Sequence, residues 1–250
     1  MQIEVYFLPR LLRSPARSVC IVVDVLRATS TIVTLIAGGA DGVTVVAGRD
    51  EALSRRDAAR AQGEQAPFVC GEVGGLPPPG FDYGNSAVEF SRLDVRGRRA
   101  VLFTSNGTKA LVEVAAAPAV FVGALLNRGA VVRAAADLAR ERGLDLAIVC
   151  SGTELGTAFS LEDAYCAGAL VEAATVLLGA GAELGDGARA AIRLYRSYDG
   201  DTGCAFREAE HGRGLLRLGF GEDLAFCARV DEFNIAPRVR REDGFLTVRA

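Results

Sequence analysis

Residues 19–31 read VCIVVDVLRATST, and this stretch narrows the choice of fold more than any other. An apolar, β-branched run ends on a carboxylate, Asp24. Arg27 follows, and the hydroxyls of Thr29, Ser30 and Thr31 open an apolar, helix-compatible segment. The pattern is that of a buried strand, a turn and a helix start. Turns at the carboxyl ends of strands are where α/β folds place their chemistry. Asp24 suits a hard cation or attack on an electrophile, and Arg27 suits an anion gripped through paired N–H groups. The same residues also suit a plain structural role, with Asp24 and Arg27 paired and Thr29 or Ser30 capping a helix.

The pattern recurs along the chain. Strands are predicted at 3–8, 19–25, 43–47, 68–70, 99–104, 120–122 and 144–150, with helices at 30–37, 50–62, 107–116, 128–142 and 161–178. Such alternation predicts a three-layer α/β/α fold around a central, mainly parallel or mixed sheet, formed by residues 1–250 as a single domain. Beyond Gly179 the pattern turns helical, at 188–198 and 202–218, and the tail ends in a hairpin turning at Glu242-Asp243-Gly244. The glycine- and proline-rich segment 71–85 is a long loop, and such loops inside a domain are usually functional.

Composition removes several classes of function. Half of the 250 residues are hydrophobic and the net charge is -3, so a large core is expected and the basic excess of a nucleic-acid binder is absent. Every apolar run is interrupted by Arg, Asp, Glu or Gly, so no membrane span is expected. The start, MQIEVYF, is strand-like without a signal-peptide pattern, which predicts a cytoplasmic protein. The 6 cysteines form no CxxC pair and open no Cys-x5-Arg loop, and reduced, buried thiols are expected. His211 is the sole histidine, which rules out a His-rich metal site; a helix cap or surface position is expected for it. Lys109 is the sole lysine.

Three strand ends converge on one chemistry. Asp24 to Thr31 is the first, Thr104-Ser105-Asn106-Gly107-Thr108-Lys109 the second, and Cys150-Ser151-Gly152-Thr153 the third. Backbone N–H groups at helix starts bind anions, and glycine lets the backbone come close. In a parallel sheet all three turns lie along one edge. Thr29, Ser30, Asn85, Thr104, Ser105, Asn106, Gly107, Thr108, Lys109, Ser151 and Gly152 are therefore the candidate phosphate-binding residues. Asp24, Arg27 and Glu72 are the candidate catalytic ones. Asp24, Glu72, Glu162 and Asp163 are the candidate metal ligands, and oxygen donors with a single histidine favour magnesium over zinc or copper. Ser160 with Asp163 also resembles a helix cap, and Asn85-Ser86 resembles the cap of a short helix. Glu72, in a glycine-rich strand end, has no capping duty.

Five ordered blocks carry a family resemblance: VVDVLRATSTIV at 22–33, GEVGGLPPPGFDYGNSAVEF at 71–90, TSNGTKAL at 104–111, CSGTELGTAFSLEDAYCAG at 150–168 and EHGRGLLRLGFGEDLAFCARVD at 210–231. The chain resembles the 2-phosphosulfolactate phosphatase (ComB-like) family over nearly its whole length. The resemblance implies a magnesium-dependent phosphatase releasing phosphate from a 2-phosphorylated, sulfonated hydroxy acid, of the kind used in coenzyme M biosynthesis. It departs at Val73, where the family usually carries arginine, and at Ala209-Glu210, where a serine is usual. Water attack is preferred to an aspartyl phosphate on Asp24, because phosphatases of the haloacid-dehalogenase type need an acid two residues later and Leu26 stands there. A lyase or isomerase acting on a phosphorylated hydroxy acid, and a non-catalytic anion binder, are the competing readings. A homodimer is the expectation for assembly, on general frequency alone.

Overall fold

The computed structural model describes residues Met1–Ala250. It contains β1 (Gln2–Tyr6), β2 (Ser18–Val23), α1 (Ala28–Ala37), β3 (Gly42–Val45), α2 (Arg49–Ala61), β4 (Phe68–Gly71), α3 (Ala87–Phe90), β5 (Arg99–Phe103), α4 (Gly107–Glu113) and β6 (Ala119–Gly123). After these come α5 (Arg128–Arg142), β7 (Asp145–Cys150), α6 (Leu161–Leu178), β8 (Glu183–Leu184), α7 (Asp186–Arg196), α8 (Thr202–Glu208), α9 (Glu210–Arg217), α10 (Gly221–Cys227), β9 (Arg238–Glu242) and β10 (Phe245–Arg249).

All 10 strands form one sheet in the order β4-β5-β3-β10-β9-β6-β2-β7-β1-β8. β4, β5 and β3 are mutually parallel, and so are β6, β2, β7, β1 and β8. The C-terminal hairpin joins these blocks by antiparallel pairing on each side and within itself. Three successive reversals make the blocks run in opposite directions, so the sheet is mixed. β9 touches β6 through a single residue pair, Phe121–Arg238. This overturns the expectation that the three strand-end turns share one edge. They belong to two blocks whose carboxyl ends face each other across the site.

β2 is buried at every position, as a central strand covered on both faces requires. The helices α5, α6 and α7 lie side by side over the β6–β1 block, and α2 covers β4 and β5. α1 packs on both β3 and β6, spanning the two blocks. One hydrophobic core of 60 buried residues runs through the molecule.

One helical stretch, Leu161–Gly181, is long and apolar enough by length and composition to cross a membrane, which the sequence reading did not anticipate. Half of that stretch is buried inside the fold, where α6 packs between α5 and α7. The predicted helix at 202–218 is broken at Ala209, whose backbone is extended, giving α8 and α9. Gly212 permits the break: it lies so close to the Phe206 carbonyl that a Cβ there would sit 1.8 Å from its oxygen.

Candidate active site

Register places the polar groups in two rows. Val23 pairs with Cys150, so the next residues, Asp24 and Ser151, lie level. Gly71 pairs with Phe103, so Glu72 lies level with Thr104. The bridge between Cys70 and Tyr83 is also parallel, which brings Asn85 level with Glu72. These rows face one another around a pocket lined by Asp24, Leu26, Arg27, Glu72, Gly75, Asn85, Thr104, Asn106 and His211. Its volume is about 10 Å³, room for one water-sized occupant.

Asp24 is buried against the first residue of α4. A Cβ on Gly107 would sit 2.7 Å from Asp24 Oδ2, so only glycine admits the carboxylate here. Ala28 N–H donates to Asp24 Oδ1 (3.2 Å). Burial pushes the Asp24 carboxyl up to about 6; the Glu72 charge adds to this, while His211 and the Ala28 N–H oppose it. Glu72 is anchored at both oxygens, by Ser105 N–H at 2.8 Å and Gly75 N–H at 2.9 Å. Two buried carboxylates in a pocket of this size are costly in water-free surroundings, and a cation between them offsets that cost.

Several expected site residues spend polar groups on the scaffold, Thr104 and Asn106 while also lining the pocket. Thr29 Oγ1 donates to the Asp24 carbonyl and accepts from the Asp24 N–H, and Ser30 Oγ donates to the Val25 carbonyl. Neither hydroxyl caps α1 or faces the pocket. Thr104 Oγ1 accepts from Thr108 N–H, and Thr108 Oγ1 donates to the Thr104 carbonyl. Ser151 Oγ donates to Asp163 Oδ2 (3.0 Å), whose Oδ1 accepts from Val25 N–H (2.8 Å). Lys109 Nζ donates to the Leu155 carbonyl, outside the pocket, and Asn106 Oδ1 accepts from Leu155 N–H. Gly152 turns the chain with φ of +70° after Ser151 and lines no part of the pocket.

Arg27 also departs from expectation. Its guanidinium is buried, donates to Asp223 Oδ2 (3.1 Å) and the Gly75 carbonyl (2.8 Å), and stacks over Phe220. Asp223 Oδ1 in turn accepts from Ser86 Oγ, and Ser86 caps α3 by accepting from Glu89 N–H. Arg27 thus clamps the 71–85 loop while lining the pocket, with N–H groups of both its terminal nitrogens bonded to Asp223 and the Gly75 carbonyl.

The four acids expected to bind metal divide three ways. Asp24 and Glu72 share the small pocket. Asp163 is locked between β7 and the turn after β2, and burial raises its carboxyl well above the ordinary range. Glu162, also raised by burial and opposed by His211, lines a neighbouring cavity of about 460 Å³ with Glu154, Phe159, Glu208, Glu210 and Arg213. No group of three or more acidic, His or Cys side chains is arranged to hold a metal ion, so the four acids do not form one cluster, and only Asp24 and Glu72 line the same pocket.

Sequence reasoning missed His211 and Asp223. His211 lines both the small pocket and the larger cavity. It stands in the first turn of α9, the opposite helix end from the one that favours a cation. Its being the sole histidine was the available signal. Asp223 meets Arg27 across 196 positions, and no local pattern marks such a pairing.

Comparisons with known proteins give the family. The chain matches the 2-phosphosulpholactate phosphatase family over residues 6–242. It is 40% identical over 238 residues to a probable 2-phosphosulfolactate phosphatase of Gloeobacter violaceus, covering 95% of each chain. It is 39% identical over 224 residues to one of Symbiobacterium thermophilum, covering 89% of this chain and 91% of the relative. It is 41% identical over 223 residues to one of Deinococcus radiodurans, covering 88% and 86%. Three strand ends, the 71–85 loop and the α9–α10 region all lie inside the matched span, and the chain belongs to the 2-phosphosulpholactate phosphatase family.

Proposed function

We propose that this protein hydrolyses the phosphate monoester of a small anionic hydroxy acid, 2-phosphosulfolactate, at the Asp24 pocket with magnesium as cofactor. The observation that carries the reading is the meeting of Asp24 and Glu72, from oppositely running strand blocks, at a pocket of about 10 Å³. The donor set fits magnesium, which takes one or two carboxylates and fills its remaining positions with water and substrate phosphate. When bound, the ion neutralises phosphoryl charge and orients the reacting groups.

The chain's own residues supply the rest. Asp24 and Glu72 would hold the ion. Water forms the new bond to phosphorus, the bond from phosphorus to the organic oxygen breaks, and that oxygen takes a proton as the hydroxy acid leaves. His211 stands at the boundary between the small pocket and the larger cavity, where the leaving oxygen falls if the organic part occupies that cavity. It is the group placed to deliver the proton. Val73, at the family's usual arginine position, is exposed and lines neither cavity, so its change leaves the phosphoryl site intact. Six unpaired cysteines, five of them buried, suit a reducing, cytoplasmic setting.

The test is phosphate release from 2-phosphosulfolactate, 2-phospholactate and other phosphate monoesters, with magnesium and after chelation. Magnesium-dependent release, greatest for the sulfonated ester, is expected. Conversion of the substrate without phosphate release supports a lyase or isomerase instead. Binding without turnover supports an anion receptor.

A further inference from the structure

Asn85, which lines the small pocket, carries a buried oxygen that the fold itself leaves unused. Asn85 is 3% exposed, and its Oδ1 has no hydrogen-bond partner. Thr31 Oγ1, inside α1, is the other buried side-chain oxygen in that condition, and it lines no part of the pocket. Leaving a buried carbonyl unpaired forfeits its hydration with nothing in return, so native folds rarely keep one without a ligand.

The placement of Asn85 follows from the backbone. Tyr83 bridges Cys70 in parallel and Gly71 N–H donates to the Gly84 carbonyl, which seats residues 83–85 alongside the end of β4. Asn85 therefore falls level with Glu72. The next residue, Ser86, is pinned to Asp223, which Arg27 also holds, so the segment is fixed from behind. The acidic neighbours of Asn85 in the pocket, Asp24 and Glu72, are acceptors like its own carbonyl. Acceptors gathered round an ion-sized space repel one another unless a cation lies among them.

We infer that Asn85 Oδ1 is a ligand of the divalent cation, a neutral oxygen completing the set begun by Asp24 and Glu72. Asn85 takes this role only if the pocket holds a cation as proposed above. Its expected part in phosphate binding would instead need the amide N–H groups turned towards the anion. Two carboxylates and an amide oxygen form a hard donor set that suits magnesium or manganese.

Mn2+ binding to the full-length protein, measured without substrate by electron paramagnetic resonance and calorimetry, tests this for wild type, Asp24→Asn, Asn85→Ala and Asn85→Asp. Thermal melts and circular dichroism check that each is folded. Loss of the ligand in Asn85→Ala is expected to weaken Mn2+ about tenfold, whereas Asn85→Asp binds as tightly as wild type or more so. If Asn85→Ala does not fold, Asn85→Asp decides alone: a folded variant with weakened Mn2+ binding overturns the ligand role. Wild-type Mn2+ affinity in Asn85→Ala, with binding lost in Asp24→Asn, overturns the role of Asn85 and leaves the Asp24 pocket standing. Equal binding by wild type and Asp24→Asn, or binding by neither, overturns the pocket reading and the Asn85 role together.

Discussion

The two walls of the site are built from the same parts and behave differently. On the β2–β7 wall the polar side chains behind Asp24 satisfy one another: Thr29 and Ser30 bond the turn's own backbone, and Ser151 and Asp163 join β7 to Val25. On the β4–β5 wall Glu72 is aimed by two backbone N–H groups, and Asn85, which lines the pocket, keeps a buried Oδ1 without a partner. The first wall fixes one carboxylate within a closed hydrogen-bond net. The second leaves bonding capacity open. A strand end rich in hydroxyls is therefore not in itself a binding surface; what decides is whether those hydroxyls are already spent on the backbone.

Asp24→Asn probes the contrast most severely. In the proposed mechanism, losing the charge removes a carboxylate that would hold the ion beside the reacting phosphoryl group. Turnover is expected to fall by about a thousandfold or more, on the scale of losing a main electrostatic stabiliser. The same variant is expected to melt at a higher temperature than wild type in metal-free buffer at pH 7, because a buried charge has gone. Turnover within a few-fold of wild type would make Asp24 structural.

Arg27→Ala attacks the clamp rather than the chemistry. It leaves Asp223 buried without its cation and frees the Gly75 carbonyl, at a cost of about 3–5 kcal/mol. Denaturant unfolding is expected to show that loss. A variant of wild-type stability with a raised KM would return Arg27 to the anion-binding role expected from the sequence.

The pH dependence of stability tests the buried charges. The Asp24 carboxyl is raised to about 6 from an ordinary value of 3.8. Between those values the folded state binds more protons than the unfolded state, so stability falls as pH rises through that window. Metal-free protein is expected to lose about 1–3 kcal/mol between pH 4 and pH 7 from this source, with Asp163 and Glu162 shifted in the same direction. Asp24→Asn is expected to flatten part of that slope. Stability rising with pH over the window contradicts the placement of these carboxyls.

Ser151→Ala is the mildest probe. It removes one donor to Asp163 from the closed wall, and about 1–2 kcal/mol of stability is expected to go, with kcat and KM within a few-fold of wild type. A large kinetic defect with little loss of stability would move Ser151 from scaffold to substrate contact.

Local pattern revealed the strand, turn and helix around Asp24, the strand-end Glu72 and the turn before α4, because each rests on short-range periodicity and turn chemistry. The hairpin at the C-terminus was legible as well, with Asp243 and Gly244 both at positive φ in its turn. Its position between the two blocks was not, since that depends on pairing with β3 and β6 across most of the chain. The same limit applied to His211, whose place follows from the break between α8 and α9 at Ala209, and to Arg27, whose partner lies 196 positions away. Hydroxyls at Thr29, Ser30 and Ser151 looked like ligand donors because sequence shows which groups are present and not which are already bonded.

The most direct test of the account is anomalous diffraction from crystals grown with Mn2+ and phosphate. One manganese peak is predicted between the carboxylates of Asp24 and Glu72, with phosphate beside it. A peak held by Glu162 in the larger cavity, or none near Asp24 while phosphate is bound, would contradict it.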